Sequence, residues 1–119
     1  MLDLIQTRKI SEEEKQVILQ SLADKYCQLI LKNTLEKPKS AMKISFEEQI
    51  PLSTVYRKLQ KLYDGKLLTI SGAINKDGKK IFLYMNNIQE INVHWDKTET
   101  KIDCIFNDQR QKDPPINIP

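Results

Sequence analysis

The sequence predicts an α+β fold, helices first and strands after, and three observations carry that prediction. Residues 11–64 place apolar side chains at helical spacing behind capping signals. Residues 67–85 hold two alternating runs around Asn75-Lys76-Asp77-Gly78, and residues 91–106 repeat the alternation around Lys97-Thr98-Glu99-Thr100. At 119 residues the chain has room for one small core with peripheral structure.

Ser11-Glu12-Glu13-Glu14 has the S-x-x-E form of a capping box, and the acidic first turn suits the positive end of a helix dipole. Val17, Ile18 and Leu22 then supply an apolar stripe. Asp24 can cap a second helix in which Cys27, Ile30, Leu31 and Leu35 recur at helical spacing; one long helix running through Asp24 is the alternative, and two elements are favoured. Pro38 ends this region, and Ser40 caps a short helix over 41–49 with Ile44 as its inward anchor. Pro51 fixes the next turn, and Ser53 or Thr54 caps a helix that runs to about Asp64.

That last helix divides into two faces. At about 100° per residue, Val55, Leu59 and Leu62 fall within roughly 60° of one another and face the core. Ser53, Arg57, Gln60 and Lys61 fall on the opposite side, with Thr54 and Tyr56 on the flanks. Any surface helix has a polar face, but this one combines Arg, Gln, Lys, Ser, Thr and Tyr without glutamate. Arginine pairs bidentately with guanine and glutamine with adenine, while hydroxyls and lysine suit phosphates.

In the first hairpin Leu68, Ile70 and Gly72 alternate with Thr69 and Ser71 over 67–74, and Ile81, Leu83 and Met85 alternate with Phe82 and Tyr84 over 79–85. Lys76, Lys79 and Lys80 sit at or beside its tip. In the second, Ile91, Val93 and Trp95 alternate before the turn and Ile102, Cys104 and Phe106 after it, giving one apolar face that must be covered by the body or by another copy. The residues from 107 onward are polar, include Asp-Pro-Pro, and read as an unstructured tail.

Charge is unevenly placed. Residues 37–80 hold ten Lys and Arg against four Asp and Glu, a net of +6, while the remaining nine against twelve give −3. The positive charge thus falls on the short helix, the two-faced helix and the first hairpin, as a phosphate backbone requires. A helix, a proline turn, a second amphipathic helix and a basic hairpin make the plan of a winged helix-turn-helix: a three-helix core plus a β-wing, here with an N-terminal helix and a C-terminal β-hairpin. The expected division is an extension over 1–23, a winged helix over 24–86, a hairpin and possible dimerisation element over 87–106, and a flexible tail over 107–119. Duplex DNA is the expected partner, with contacts from Lys39, Ser40, Ser53, Thr54, Tyr56, Arg57, Gln60, Lys61, Lys76, Lys79 and Lys80. A homodimer is expected from the apolar surplus in 18–22 and 91–106 and from two-fold reading of a palindromic site. A winged helix that docks on proteins, or one that binds RNA, remains the alternative.

Several chemistries find no support. His94 is the only histidine, so neither a His-based acid–base pair nor a His cluster for zinc forms within one chain. There is no C-x-x-C, no G-x-x-x-x-G-K-[ST] and no G-x-G-x-x-G. No enzymatic activity, metal or cofactor is expected. Cys27 and Cys104 read as small buried hydrophobes in a reducing compartment rather than a disulfide. No apolar run approaches the ~18–20 residues of a membrane span, and MLDLIQTRKISEEEK lacks the basic start and apolar core of a secretory signal, so the cytoplasm is the expected location.

Residues 24–84 resemble the archaeal winged helix-turn-helix transcriptional regulators of the broad ArsR-like group. KPKSAMKIS resembles that family's first helix boundary, IPLSTVYRKLQKL its recognition helix, and LLTISG…KDGKKIFLY its wing. The resemblance implies a dimeric, sequence-specific binder of double-stranded DNA that acts as a repressor or activator. Two departures stand out. Where the family often carries Ala-Gly-Leu-Leu, this chain reads Gly65-Lys66-Leu67-Leu68, which either stops the helix a residue early or forces Lys66 into a left-handed cap. The paired-cysteine motif of the metal-sensing members has no counterpart, so metal sensing is not carried over.

Overall fold

Three of the four helices begin on a side chain that caps them. The computed structural model describes residues 10–107 and comprises α1 (Glu12–Leu22), α2 (Lys25–Asn33), α3 (Ala41–Glu48), α4 (Leu52–Asp64), β1 (Leu68–Ile74), β2 (Lys80–Asn86), β3 (Ile88–Trp95) and β4 (Thr100–Phe106). It is an α+β structure, four helices followed by two antiparallel hairpins, β1–β2 and β3–β4. The tail expected over 107–119 lies, beyond Asn107, outside the described residues, as does the start of the 1–23 extension.

Ser11 and Glu14 form the full capping box of α1, Asp24 Oδ1 accepts from the Cys27 N–H at 3.0 Å to start α2, and Ser40 Oγ accepts from the Lys43 N–H at 3.1 Å to start α3. Asp24 is therefore a true break between two helices. The start of α4 differs from the sequence expectation: Pro51 is the capping residue, with no side-chain cap bond, and Ser53 and Thr54 already lie inside the first turn. The proline fixes an extended entry with φ of −55°, so the backbone sets the start without a hydroxyl. Leu35 was expected on the α2 stripe, but α2 ends at Asn33 and Leu35 is exposed in the connection that follows.

The core gathers Ile18 from α1, Cys27 and Ile30 from α2, Ile44 from α3, and Val55, Leu59 and Leu62 from α4. Ile50 closes the connection between α3 and α4, which is only Gln49, Ile50 and Pro51. Gln49 there takes the left-handed conformation, φ 58°, and Ser45 Oγ donates to the Ile50 carbonyl at 2.6 Å. Leu67 and Leu68 carry the core to the foot of β1, and Ile102, Cys104 and Phe106 extend it along β4. The apolar residues of 18–22 and of the second hairpin, singled out as a surplus, are thus partly used inside the chain: Ile18 is 1% exposed and Cys104 fully buried.

Two adjacent asparagines join the parts. Asn86 Nδ2 donates to the Leu31 carbonyl and its N–H to the Thr34 carbonyl, tying β2 to the end of α2. The Asn87 N–H donates to the Leu67 carbonyl and its own carbonyl accepts from the Asn107 N–H, both at 2.9 Å, so the second hairpin is held at its base. Among the described residues, no helix is long and apolar enough to cross a membrane.

Candidate nucleic-acid interface

The amphipathic division of α4 is realised. Val55, Leu59 and Leu62 are buried, while Ser53, Tyr56, Arg57 and Gln60 stand exposed on the other side. Arg57 Nη2 donates to Thr54 Oγ1 at 3.3 Å, which steadies the guanidinium along the helix without neutralising it. Thr54 is half-buried and acts as that acceptor. Lys61 is also half-buried, unlike the outward row.

Asp64 was not singled out from the sequence, yet it sits on this face at the end of α4. Its Oδ1 accepts from Gln60 Nε2 at 2.9 Å. The i,i+4 spacing alone could have found it. The consequence is that one amide donor of Gln60 is already satisfied, and a negative charge stands on the same face as Arg57.

β1 begins three residues after α4 because the chain reverses at once. The Leu67 N–H donates to the Leu62 carbonyl and the Lys66 N–H to the Tyr63 carbonyl, both at 2.9 Å, with Lys66 left-handed at φ 66°. This is a Schellman motif with lysine at the position glycine usually takes. Gly65, one residue earlier, is helical in φ and serves another purpose: a Cβ there would stand 2.8 Å from Val17 Cγ1, so its absence lets α1 lie against α4. The displaced glycine thus yields the left-handed Lys66 anticipated above.

β1 and β2 pair from Leu68↔Asn86 to Ile74↔Lys80. The turn is closed by Asn75 Oδ1, which accepts from the Asp77 and Lys79 N–H groups at 2.9 Å each, with Gly78 at φ 79°. Lys76, Lys79 and Lys80 are exposed and carry no ion pair among the described residues. Lys80 also lies 5.5 Å from the Phe82 ring centroid. The alternation in these strands does not sort core from solvent: Leu68 and Ala73 are buried, whereas Ile70, Ile74 and Phe82 are exposed.

The cations on the helices are less available than their number suggests. Lys39 Nζ bonds Glu47 Oε1 at 2.8 Å with Lys43 3.7 Å from the same carboxylate, Lys58 bonds Asp24 at 2.6 Å, and Lys66 lies 3.4 Å from Glu14. Lys39 is further fixed by its backbone, which bridges Tyr84 of β2. Ser40 is engaged as the α3 cap. The structure therefore brings Ser53, Tyr56, Arg57 and Gln60 into one row, sets Lys76, Lys79 and Lys80 at the hairpin tip, engages Lys39, Ser40 and Thr54 within the fold, and leaves Lys61 half-buried.

Several groups are shifted by these surroundings. Burial acts to raise the Asp24 carboxyl, but the Lys58 hydrogen bond, the Cys27 N–H and the Lys58 charge together hold it below the ordinary carboxylate value. The Lys39 and Asn33 hydrogen bonds lower Glu47. Burial, with Tyr56 nearby, raises the Tyr84 phenol. Burial, with the Asp24 charge, raises the Cys27 thiol, which keeps it protonated and poorly nucleophilic. Cys27 and Cys104 are both buried and unbridged. Among the described residues no group of three or more His, Cys, Asp or Glu side chains could hold a metal ion.

No protein-family model and no curated protein matches this chain.

Proposed function

We propose that this protein is a sequence-specific, double-stranded DNA-binding transcriptional regulator built as a winged helix-turn-helix of the ArsR-like kind seen in archaea, working as a cytoplasmic homodimer without cofactor or catalysis. In this reading α2, α3 and α4 are the three-helix core, α4 enters the major groove, and β1–β2 is the wing that rests on the backbone or minor groove. The observation that supports it most is the exposed row Ser53, Tyr56, Arg57 and Gln60, followed at once by a hairpin whose tip carries three exposed lysines with no ion pair among the described residues. Arg57 and Gln60 lie one turn apart and reach for base edges, while Lys76, Lys79 and Lys80 meet phosphates.

Selection of sites from random duplex DNA tests the reading. Enrichment of one motif by the wild type, and its loss of preference at one position per half-site in Arg57→Ala, is the expected result. If Arg57→Ala stays folded and binds selected and random duplexes like the wild type, α4 is not the reader. A second reading then gains force from α3, whose outer face presents Met42 and Phe46, the latter 78% exposed. Two large apolar side chains one turn apart suit a protein partner better than a phosphate.

A further inference from the structure

The β3–β4 hairpin forms a sheet of its own, and β3 has no strand on its outer side among the described residues. From Glu90 to Trp95 that strand is regular; its one irregularity lies at its base, between Ile88 and Glu90. Natural edge strands are usually blunted by lysine, proline or a mid-strand bulge, and β3 contains neither lysine nor proline. Its apolar face is also incompletely covered: Val93 is 45% exposed although its strand partner Ile102 is buried, and Trp95, opposite Thr100, is 73% exposed. A two-stranded hairpin by itself is marginal in water, so this edge and this face are built to be met.

We propose that a second copy of this chain pairs with the outer edge of β3, antiparallel about a two-fold axis through Asn92, to make a continuous four-stranded sheet. This rests on the dimeric regulator proposed above and names its interface. The register follows from the residues. About Asn92, Ile91 lies opposite Val93 of the second copy, so the row Cys104, Ile91, Val93, Ile102 crosses both copies as one apolar band. On the other face Glu90 lies opposite His94 of the second copy, whose ring can donate to the carboxylate, with Lys101 next in that row across its own hairpin, so a carboxylate faces a donor backed by a cation twice. Centring the axis on Val93 would instead set Glu90 against Asp96, and like charges directly opposite are destabilising. α1 offers no comparable surface, because Ile18 is spent on the chain's own core.

The experiment is sedimentation of the full chain together with site-directed cross-linking. The wild type should sediment at twice the 13.9 kDa monomer mass. Residues directly opposite in antiparallel strands have Cα atoms about 4.5–5.5 Å apart, within disulfide range, so Asn92→Cys should form a covalent dimer on mild oxidation. His94→Cys should not, because its two copies would be displaced by four residues, roughly 13 Å along the strand. Val93→Lys should weaken dimerisation at least about tenfold while still binding a half-site duplex. Arg57→Ala should remain dimeric, which separates failure of this interface from failure of DNA reading. A monomeric wild type overturns the proposal, and so does a dimer in which N92C does not cross-link or H94C cross-links equally well.

Discussion

Lys66 holds a left-handed backbone at φ 66°, directly after a glycine whose own φ is ordinary. The two residues answer different demands, and substitution separates them. Lys66→Gly removes the Cβ conflict of the left-handed region and should stabilise the fold by about 0.5–1 kcal/mol, less whatever its approach to Glu14 contributes. Gly65→Ala should destabilise, because the new Cβ meets Val17 of α1 at 2.8 Å and the helices must part. Thermal unfolding of the two variants checks both signs. On the outward face of α4, proposed to read DNA, Asp64 makes the sharper test. Asp64 occupies a Gln60 donor and repels phosphate, so Asp64→Asn should tighten binding to duplex DNA of any sequence; an unchanged affinity in a titration at fixed salt would separate this carboxylate from the interface. Arg57→Ala should cost about 1–3 kcal/mol on the preferred site and relax one position of it.

At the scale of elements, the proposed function divides the labour between α4 on base edges and the β1–β2 hairpin on the backbone. Replacing Lys79 and Lys80 together with alanine should weaken binding to selected and random duplexes about equally. It should also flatten the dependence of log affinity on log salt by about one unit per lost phosphate contact. Binding measured at several salt concentrations distinguishes this from the Arg57 effect, which changes preference and leaves most of the salt slope. The elements themselves were readable because each announces its own boundary: Ser11, Asp24 and Ser40 cap, Pro38 and Pro51 interrupt, and Asn75 with Gly78 turns. The inner face of α4 was readable for the same local reason. What local pattern could not supply was pairing between elements. Lys39 is adjacent to the α3 cap in sequence, but only the fold brings Glu47 to it. Alternation in β1 and β2 likewise names two faces without saying which is covered, and Ile70, Ile74 and Phe82 came out exposed. The Asn86–Asn87 junction had no sequence signature, since its partners lie on α2, at the foot of β1 and after β4.

For the molecule as a whole, α4 is tied to the start of α2, beyond its packing in the core, by the ion pair between Asp24 and Lys58, 34 residues apart and both largely shielded from water. Asp24 does two jobs there, capping α2 through one oxygen and holding Lys58 through the other. Asn caps as well as Asp, so Asp24→Asn keeps the first function and deletes the second. At neutral pH it leaves the Lys58 ammonium without its carboxylate and should cost roughly 1 kcal/mol. The pH dependence fixes the origin of that loss. The Asp24 carboxyl is depressed in the folded chain below its ordinary 3.8, so its contribution is fully present above that value. As pH falls through the folded value the carboxylate takes up a proton, and the contribution disappears. The wild type and Asp24→Asn should therefore differ by a constant amount from neutral pH down to about 5, and converge in stronger acid. Glu47, also depressed, is common to both proteins and cancels in the comparison. Urea unfolding of the pair across that range is the measurement. Equal stabilities at pH 7 would mean that the Asp24–Lys58 pair positions α4 without stabilising it, and a gap that persists unchanged in strong acid would assign the loss to the cap instead of the charge.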